Sequence, residues 1–237
     1  MAETFRARIV KTEGDVYVIN SAGMTRLPQK KQNLVSESET IVTSKNSKAI
    51  VQFEDGVMSV MDEKSSLLVE QSGWLSQLSG KIYYVFRKLA SRDKSRKIKT
   101  KFATIGIRGT IFIVDATGDN QKLALRKGKL NIESPDGEYE LLKDKSVADD
   151  YATFKQQAVQ AGKNMHDEFT DYKESINDEF VEYKKSFNLE ENKVLSFHGR
   201  RVNKSNIDKS WESAFKGYSD YSIEYIDAYD ELDVSGR

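Results

Sequence analysis

From Thr100 to Val114 the chain reads Thr-Lys-Phe-Ala-Thr-Ile-Gly-Ile-Arg-Gly-Thr-Ile-Phe-Ile-Val, a pattern that a β-strand fits and a helix does not. Ile105, Ile107, Ile111 and Ile113 fall on one parity, with Gly109 between them. Phe112 and Val114 fall on the other, which predicts a strand covered on both faces near its end. Gly106 and Gly109 weaken a strand interior, so they predict a bulge or a close backbone approach. Arg108, set between them in an apolar run, has to snorkel or pair with a carboxylate.

The segments before and after this stretch carry the same period. Arg8-Ile9-Val10, Val16 to Ile19, Thr40 to Val42, Ala49 to Phe53 and Val57 to Met61 alternate or run apolar. Asp55-Gly56 between two of them signals a two-residue hairpin. Ser134-Pro135-Asp136-Gly137 marks a turn before Tyr139 to Leu142. Short strands with such turns predict an all-β sandwich, barrel or short β-solenoid.

The block around Arg108, Gly109 and Thr110 resembles the signature of the FecR domain, a bacterial envelope module. Upstream, Gly14-Asp15-Val16 resembles the domain's opening turn. Thr43 with Ser47 to Gly56 resembles its Thr…Ser-x-Ala…Asp-Gly segment. Ser66 to Val69 and Leu78 to Lys81 fit the stretches that follow. Leu123 to Ile132, with Lys127-Gly128-Lys129, resembles a closing hairpin. Ser36 to Glu39 departs from the pattern where the family places a glycine in a tight turn. The resemblance spans about residues 8 to 135 and implies a location in the envelope, in the periplasm. FecR domains sit in many envelope proteins, and regulators of sigma factors add a cytoplasmic segment and a membrane helix that this sequence does not display.

Charge divides the chain. Residues 1–145 hold 25 Lys and Arg against 18 Asp and Glu, a net of +7; the remaining 12 and 19 leave residues 146–237 at −7, for a formal total of zero. The first part is rich in Val, Ile, Thr and Gly, the second in Asp, Glu, Lys, Tyr and Phe. The expected organisation is therefore a β domain over 1–145, a long helix over 146–192, a linker over 193–205 and an aromatic amphipathic helix over 206–237. That is an α+β chain ending in two long helices.

The first of these helices is predicted by an 11-residue repeat. Asp167 to Asn177 is followed by Asp178 to Asn188, with Phe169, Tyr172 and Ile176 matched by Phe180, Tyr183 and Phe187. Eleven residues make three turns, so the stripe stays on one face of a helix from about Asp149 to Leu189, roughly 60 Å long. The second stripe runs Trp211, Phe215, Tyr218, Tyr221, Tyr225, Tyr229 and Leu232, capped by Ser205 or Asn206. Either stripe can simply cover its own protein, or it can bind another copy, a partner subunit or, less readily for an acidic helix, a membrane surface. Phe169, Tyr172, Ile176, Phe180, Tyr183, Phe187, Trp211, Tyr218 and Tyr225 are the candidate partner contacts.

Arg92, Lys94, Arg96 and Lys97 belong to the densest basic run, a solvated loop or a contact for acidic helices or an anionic polymer such as peptidoglycan. Nucleic acid fits poorly, because no aromatics interleave and no base-reading module is present. Neither catalytic motifs nor a metal or cofactor site can be read: there is no P-loop, nucleophile elbow or H-E-x-x-H, and His166 and His198 are 32 residues apart. Cysteine is missing, and no apolar run approaches the roughly 20 residues of a membrane span. The Met1-Ala2-Glu3-Thr4 start suits a cytosolic protein or a mature secreted chain with a new initiator Met; Ala-Glu-Thr is what an A-x-A-type cleavage leaves. Two functions are expected: a non-enzymatic envelope scaffold or sensor held in an assembly by its helices, or a stand-alone binder of an envelope polymer. A periplasmic signal-transduction regulator is a further alternative.

Overall fold

The computed structural model describes residues 7–28, 33–53, 56–70, 74–86, 96–142 and 181–234; the side chains of 108, 142 and 226–234 lie outside this description. In chain order the strands are β1 (Ala7–Glu13), β2 (Val16–Ile19), β3 (Thr25–Arg26), β4 (Leu34–Val35), β5 (Thr40–Thr43), β6 (Lys48–Phe53), β7 (Val57–Met61), β8 (Ser66–Val69) and β9 (Leu75–Phe86). They continue with β10 (Arg96–Lys99), β11 (Thr104–Ala116), β12 (Gln121–Glu133), β13 (Tyr139–Leu142), β14 (Val181–Lys184), β15 (Ser186–Leu189), β16 (Lys193–His198) and β17 (Arg201–Asn206). One helix, α1 (Lys209–Val234), follows.

All of these strands join one hydrogen-bonded sheet, which folds over into two layers. The first layer runs β4-β1-β6-β7-β9-β11-β12-β16-β17-β13-β14. The second runs β3-β2-β5-β8-β9-β10-β11-β12-β15. The long strands β9, β11 and β12 serve in both, one half in each layer. The expected Asp-Gly hairpin joins β6 to β7: Gly56 has φ +76° and its amide donates to the Phe53 carbonyl at 3.1 Å.

Glycines make the fold possible where the three long strands bend. Gly80, Gly109 and Gly128 have φ of +81°, +62° and +92°, a region that side chains with a Cβ avoid. The register of β11 on β12 shifts between Arg108 and Ile111, a bulge. Each bend changes which parity faces inward. Ile105 and Ile107 face the inter-layer core before Gly109, and Phe112 and Val114 after it. The same exchange takes Leu123 and Leu125 to Leu130 and Ile132 across Gly128. Ile111 and Ile113 instead lie on the outside of the first layer. The sequence pattern put all four isoleucines on one face; the bulge residue overturns that. Leu123 to Ile132 is accordingly one bent strand rather than a closing hairpin. At the bend of β9, the Gln77 amide donates to the carbonyls of Gly80 (2.8 Å) and Val114 (3.1 Å) and accepts from the Tyr84 hydroxyl (3.1 Å). Polar groups buried there are thus satisfied.

The expectation of two long C-terminal helices is overturned. Residues 181–189 are strands β14 and β15, and residues 193–205, expected as a linker, lie in β16 and β17. β12 pairs with β15 and β16, so strands from both sides of residue 145 share the sheet and its core. The chain leaves the sheet at Leu142 and re-enters beside it, with Leu142 and Val181 as register partners. Among the described residues the protein is mostly β, with one helix. Within the repeat, Phe169, Tyr172, Ile176 and Phe180 lie outside the described residues.

That helix begins one turn later than the sequence suggests. Asp208 is its cap: one carboxylate oxygen accepts from the amides of Ser210 (2.9 Å) and Trp211 (3.0 Å), in place of the expected Ser205 or Asn206. It crosses the outside of the first layer, covering Ile50, Met58, Val60, Tyr83, Val85, Ile113, Ala124 and Val194. Burying Phe215 and Tyr218 there contributes about 1.5–3 kcal/mol each.

Candidate functional site

Arg108, Gly109 and Thr110 sit at the fold's bend, in the interior of the sheet. The Gly128 bend lies directly against them: a Cβ on Gly128 would come within 2.5 Å of the Gly109 carbonyl oxygen and 2.7 Å of Thr110 Cγ2. Thr110 is buried, and its hydroxyl has no hydrogen-bond partner among the described residues. The Arg108 backbone pairs with Lys129; its side chain lies outside the described residues. The geometry gives these residues a structural task, the tight crossing of two bent strands.

The second stripe turns inward. Tyr218 stacks on Tyr83 (5.6 Å, 11°) and donates its hydroxyl to Asp62 Oδ2 at 2.7 Å. Phe215 meets the same Tyr83 edge-on at 6.2 Å. Cations of the sheet lie over the helix aromatics: Lys11 Nζ is 4.2 Å from the Tyr221 ring and 6.0 Å from Tyr225, and Lys81 Nζ is 5.7 Å from Trp211. An ion pair between Lys129 and Glu190 at 3.0 Å crosses residue 145, so part of the charge asymmetry is met within one chain. Trp211, Tyr218 and Tyr225 all face the protein's own sheet. Burial pushes the Tyr83 hydroxyl up to about 12. Tyr218 is raised further, by burial first and then by the hydrogen bond and charge of Asp62.

Tyr183 and Phe187 separate on strands. Tyr183 is exposed on β14, whereas Phe187 packs edge-on against Tyr139 at 5.7 Å. Of the basic run, Arg92 and Lys94 lie outside the described residues, while Arg96 and Lys97 are in β10. Lys97 and Lys99 flank the buried Ile98 and so project from the outside of the second layer. Their ammonium groups lie 5.1 and 4.7 Å from the Trp74 ring centre. Lys99 also pairs with Glu70 at 3.1 Å and Lys97 approaches Glu133 at 3.9 Å. Burial pushes the Glu70 carboxyl up, but hydrogen bonds from Ser76 and Lys99 and the Lys99 charge outweigh it and leave it low.

Lys99 closes the basic run that the sequence marks, which extends from Arg87 to Lys99. Trp74, Asp62 and Tyr83 were not singled out from the sequence; nothing local marked them, and their partners are distant in sequence. Among the described residues no group of three or more His, Cys, Asp or Glu could hold a metal ion, and no helix is long and apolar enough to cross a membrane. His198 is exposed at the end of β16, and His166 lies outside the described residues.

No curated protein matches the chain significantly. Two crystal structures of a candidate anti-sigma factor from Parabacteroides distasonis, at 1.65 and 2.50 Å, align at 12% identity and a TM-score of 0.48. Each alignment covers 74% of this chain and 63% of the other, so this chain spans less than two-thirds of their length. The family model described as FecR protein matches residues 39–161, from just before β5 through β13 and beyond, including all three bends. That match spans more than half of the 237 residues, and the chain belongs to the FecR protein family.

Proposed function

We propose that this protein is a non-catalytic, periplasm-facing regulator of signal transduction that works by binding protein partners. Family membership over residues 39–161 is the observation that carries this reading. FecR domains face the periplasm, and regulators among them act through protein contacts rather than chemistry. The build of the molecule is consistent with such a task. Buried aromatic and aliphatic side chains fill the space between its layers, and its conspicuous polar groups sit on outer surfaces. A role as scaffold in a larger envelope assembly would use the same surfaces.

A chromosomal deletion tests the proposal. Transcription of a confined set of genes should change, and the chain directed to the periplasm should restore it. Restoration by a chain held in the cytoplasm would overturn the location. An unchanged transcript profile, under conditions in which the protein is made, would overturn the regulatory role.

A further inference from the structure

We propose that a row across the outside of the second layer, Trp74, Lys97, Gly106, Asn131 and Asn188, is a binding site for an extended acidic glycan. This goes beyond the regulatory reading and does not depend on it.

Strand register sets the row. Lys97 on β10 faces Gly106 on β11, Gly106 faces Asn131 on β12, and Asn131 faces Asn188 on β15. Trp74, just before β9, stands beside Lys97, whose ammonium is 5.1 Å from its ring centre. Leu75, Ile98, Ile105, Leu130 and Leu189, their immediate neighbours in sequence, lie in the core between the layers. The five positions of the row therefore face outward, and four strand spacings make it about 19 Å long. Asn131 and Asn188 are exposed, and Trp74 and Lys97 partly so. α1 covers the outside of the first layer, and among the described residues no element covers this one.

Gly106 is the observation that asks for a ligand. A glycine weakens a strand interior, and here neither conformation nor space demands one. Gly109 and Gly128 have positive φ, whereas Gly106 does not. A Cβ on Gly106 would meet only ordinary contacts, 3.5 Å from Asn131 Cβ and 3.6 Å from the Asn131 carbonyl oxygen. The missing side chain leaves a notch in the middle of the row, between Lys97 and Asn131. Such a glycine marks a place where another molecule approaches the strand closely.

Chemistry selects the occupant. The Trp74 ring offers an apolar platform to the C–H face of a sugar. Asn131 and Asn188 share one amide hydrogen bond at 3.4 Å, and two amides hold more donors and acceptors than that bond uses, enough to meet sugar hydroxyls. Lys97 and Lys99 bring positive charge to the same ring. At 3.9 Å the Lys97 contact with Glu133 is too long for a hydrogen bond, so a ligand carboxylate can compete for that ammonium. Glu70 and Glu133 on the same face separate a glycan from a nucleic acid. Sugar hydroxyls donate to carboxylates, whereas a phosphate backbone is repelled by them. The row also carries one aromatic, too few to stack successive bases.

Calorimetric titration of the full chain tests this. Oligogalacturonate and soluble glycan strands of peptidoglycan are the acidic probes, which also distinguish the source of the carboxylate. Dextran is the neutral probe and single-stranded DNA the phosphate polymer. At least one acidic probe should bind, weakening about tenfold as salt rises from roughly 0.05 to 0.5 M. Dextran and DNA should each bind about tenfold more weakly or not at all. Gly106→Val fills the notch with a side chain that favours strands, so binding should fall about tenfold while the melting temperature holds or rises. Trp74→Ala and Lys97→Glu should each weaken binding by a similar factor, and Trp74→Tyr should keep most of it. Should Gly106→Val fail to fold, the Trp74 and Lys97 variants decide, and binding unchanged in both would overturn the proposal. So would failure of both acidic probes to bind, or dextran or DNA binding as tightly as they do, as when a neutral sugar or a nucleic acid is the true ligand.

Discussion

Alanine at Gly128 should be among the most damaging single-methyl additions available in this protein, and a second glycine calibrates it. Gly118 also has positive φ (+62°), but a Cβ there meets nothing within 4 Å. Gly118→Ala therefore isolates the backbone cost of a left-handed residue, about 1 kcal/mol. Gly128→Ala adds a methyl 2.5 Å from the Gly109 carbonyl oxygen and 2.7 Å from Thr110 Cγ2. One of those atoms is backbone in the next strand, so relief requires β11 and β12 to move apart at the bulge. Losing two ladder hydrogen bonds there costs about 1 kcal/mol each. With the backbone term and strained packing the total comes to about 3–5 kcal/mol. For a chain of this size that lowers the melting temperature by about 10 °C, against about 3 °C for Gly118→Ala. Urea unfolding followed by the fluorescence of Trp74 and Trp211, one on each layer's outer side, reads both changes. Equal losses for the two variants would refute the view that the bends touch.

Replacing residues 143–180 with a four-residue turn should leave the sheet folded, because Leu142 and Val181 are already paired. Closing 4 rather than 38 residues stabilises by about 2 kcal/mol in loop entropy; a protein that aggregates or loses stability in urea would show that the sheet depends on the segment. Asp208→Ala should cost about 1 kcal/mol through loss of the helix cap, with Asp208→Asn recovering most of it in thermal melts. Stability should also fall at high pH. Tyr83 and Tyr218 keep their protons in the fold beyond the pH near 10 at which the unfolded chain ionises. Their contribution is therefore full below pH 10 and declines above it, by about 1.4 kcal/mol per pH unit for each group. Urea midpoints that stay level from pH 9 to 11 would contradict this.

Much of the β part was legible because local chemistry and tertiary structure agree there. Gly56 stands in the turn between β6 and β7, the glycine of Arg108-Gly109-Thr110 makes its bulge, and the family resemblance holds. The inward-facing set was misjudged because one bulge residue exchanges the faces of everything after it, and alternation alone does not reveal where that happens. The region 181–189 was misread for a different reason. Phe180, Tyr183 and Phe187 step by three and four, which mimics a helix. Val181, Tyr183, Phe187 and Leu189 also fall on one parity, the strand pattern, and pairing with β12 and β13 decided between the two. The second stripe was legible as a helix, but its role was left open between its own sheet and a partner. An amphipathic face looks the same whether it meets its own sheet or a stranger's, and only Tyr83 and Lys11, far away in sequence, settle that.

Gly80 faces Ala116 at one end of the ladder between β9 and β11, whereas Gly109 and Gly128 meet just past Ile111, beyond its other end. The two creases are therefore about seven residues of β11 apart, roughly 20 Å. Layers joined at both ends of one ladder cannot open like a book about either crease without breaking the other, and sliding would tear the same ladders. A signature read as Arg-Gly-Thr in the sequence is, in mechanical terms, one corner of a closed frame.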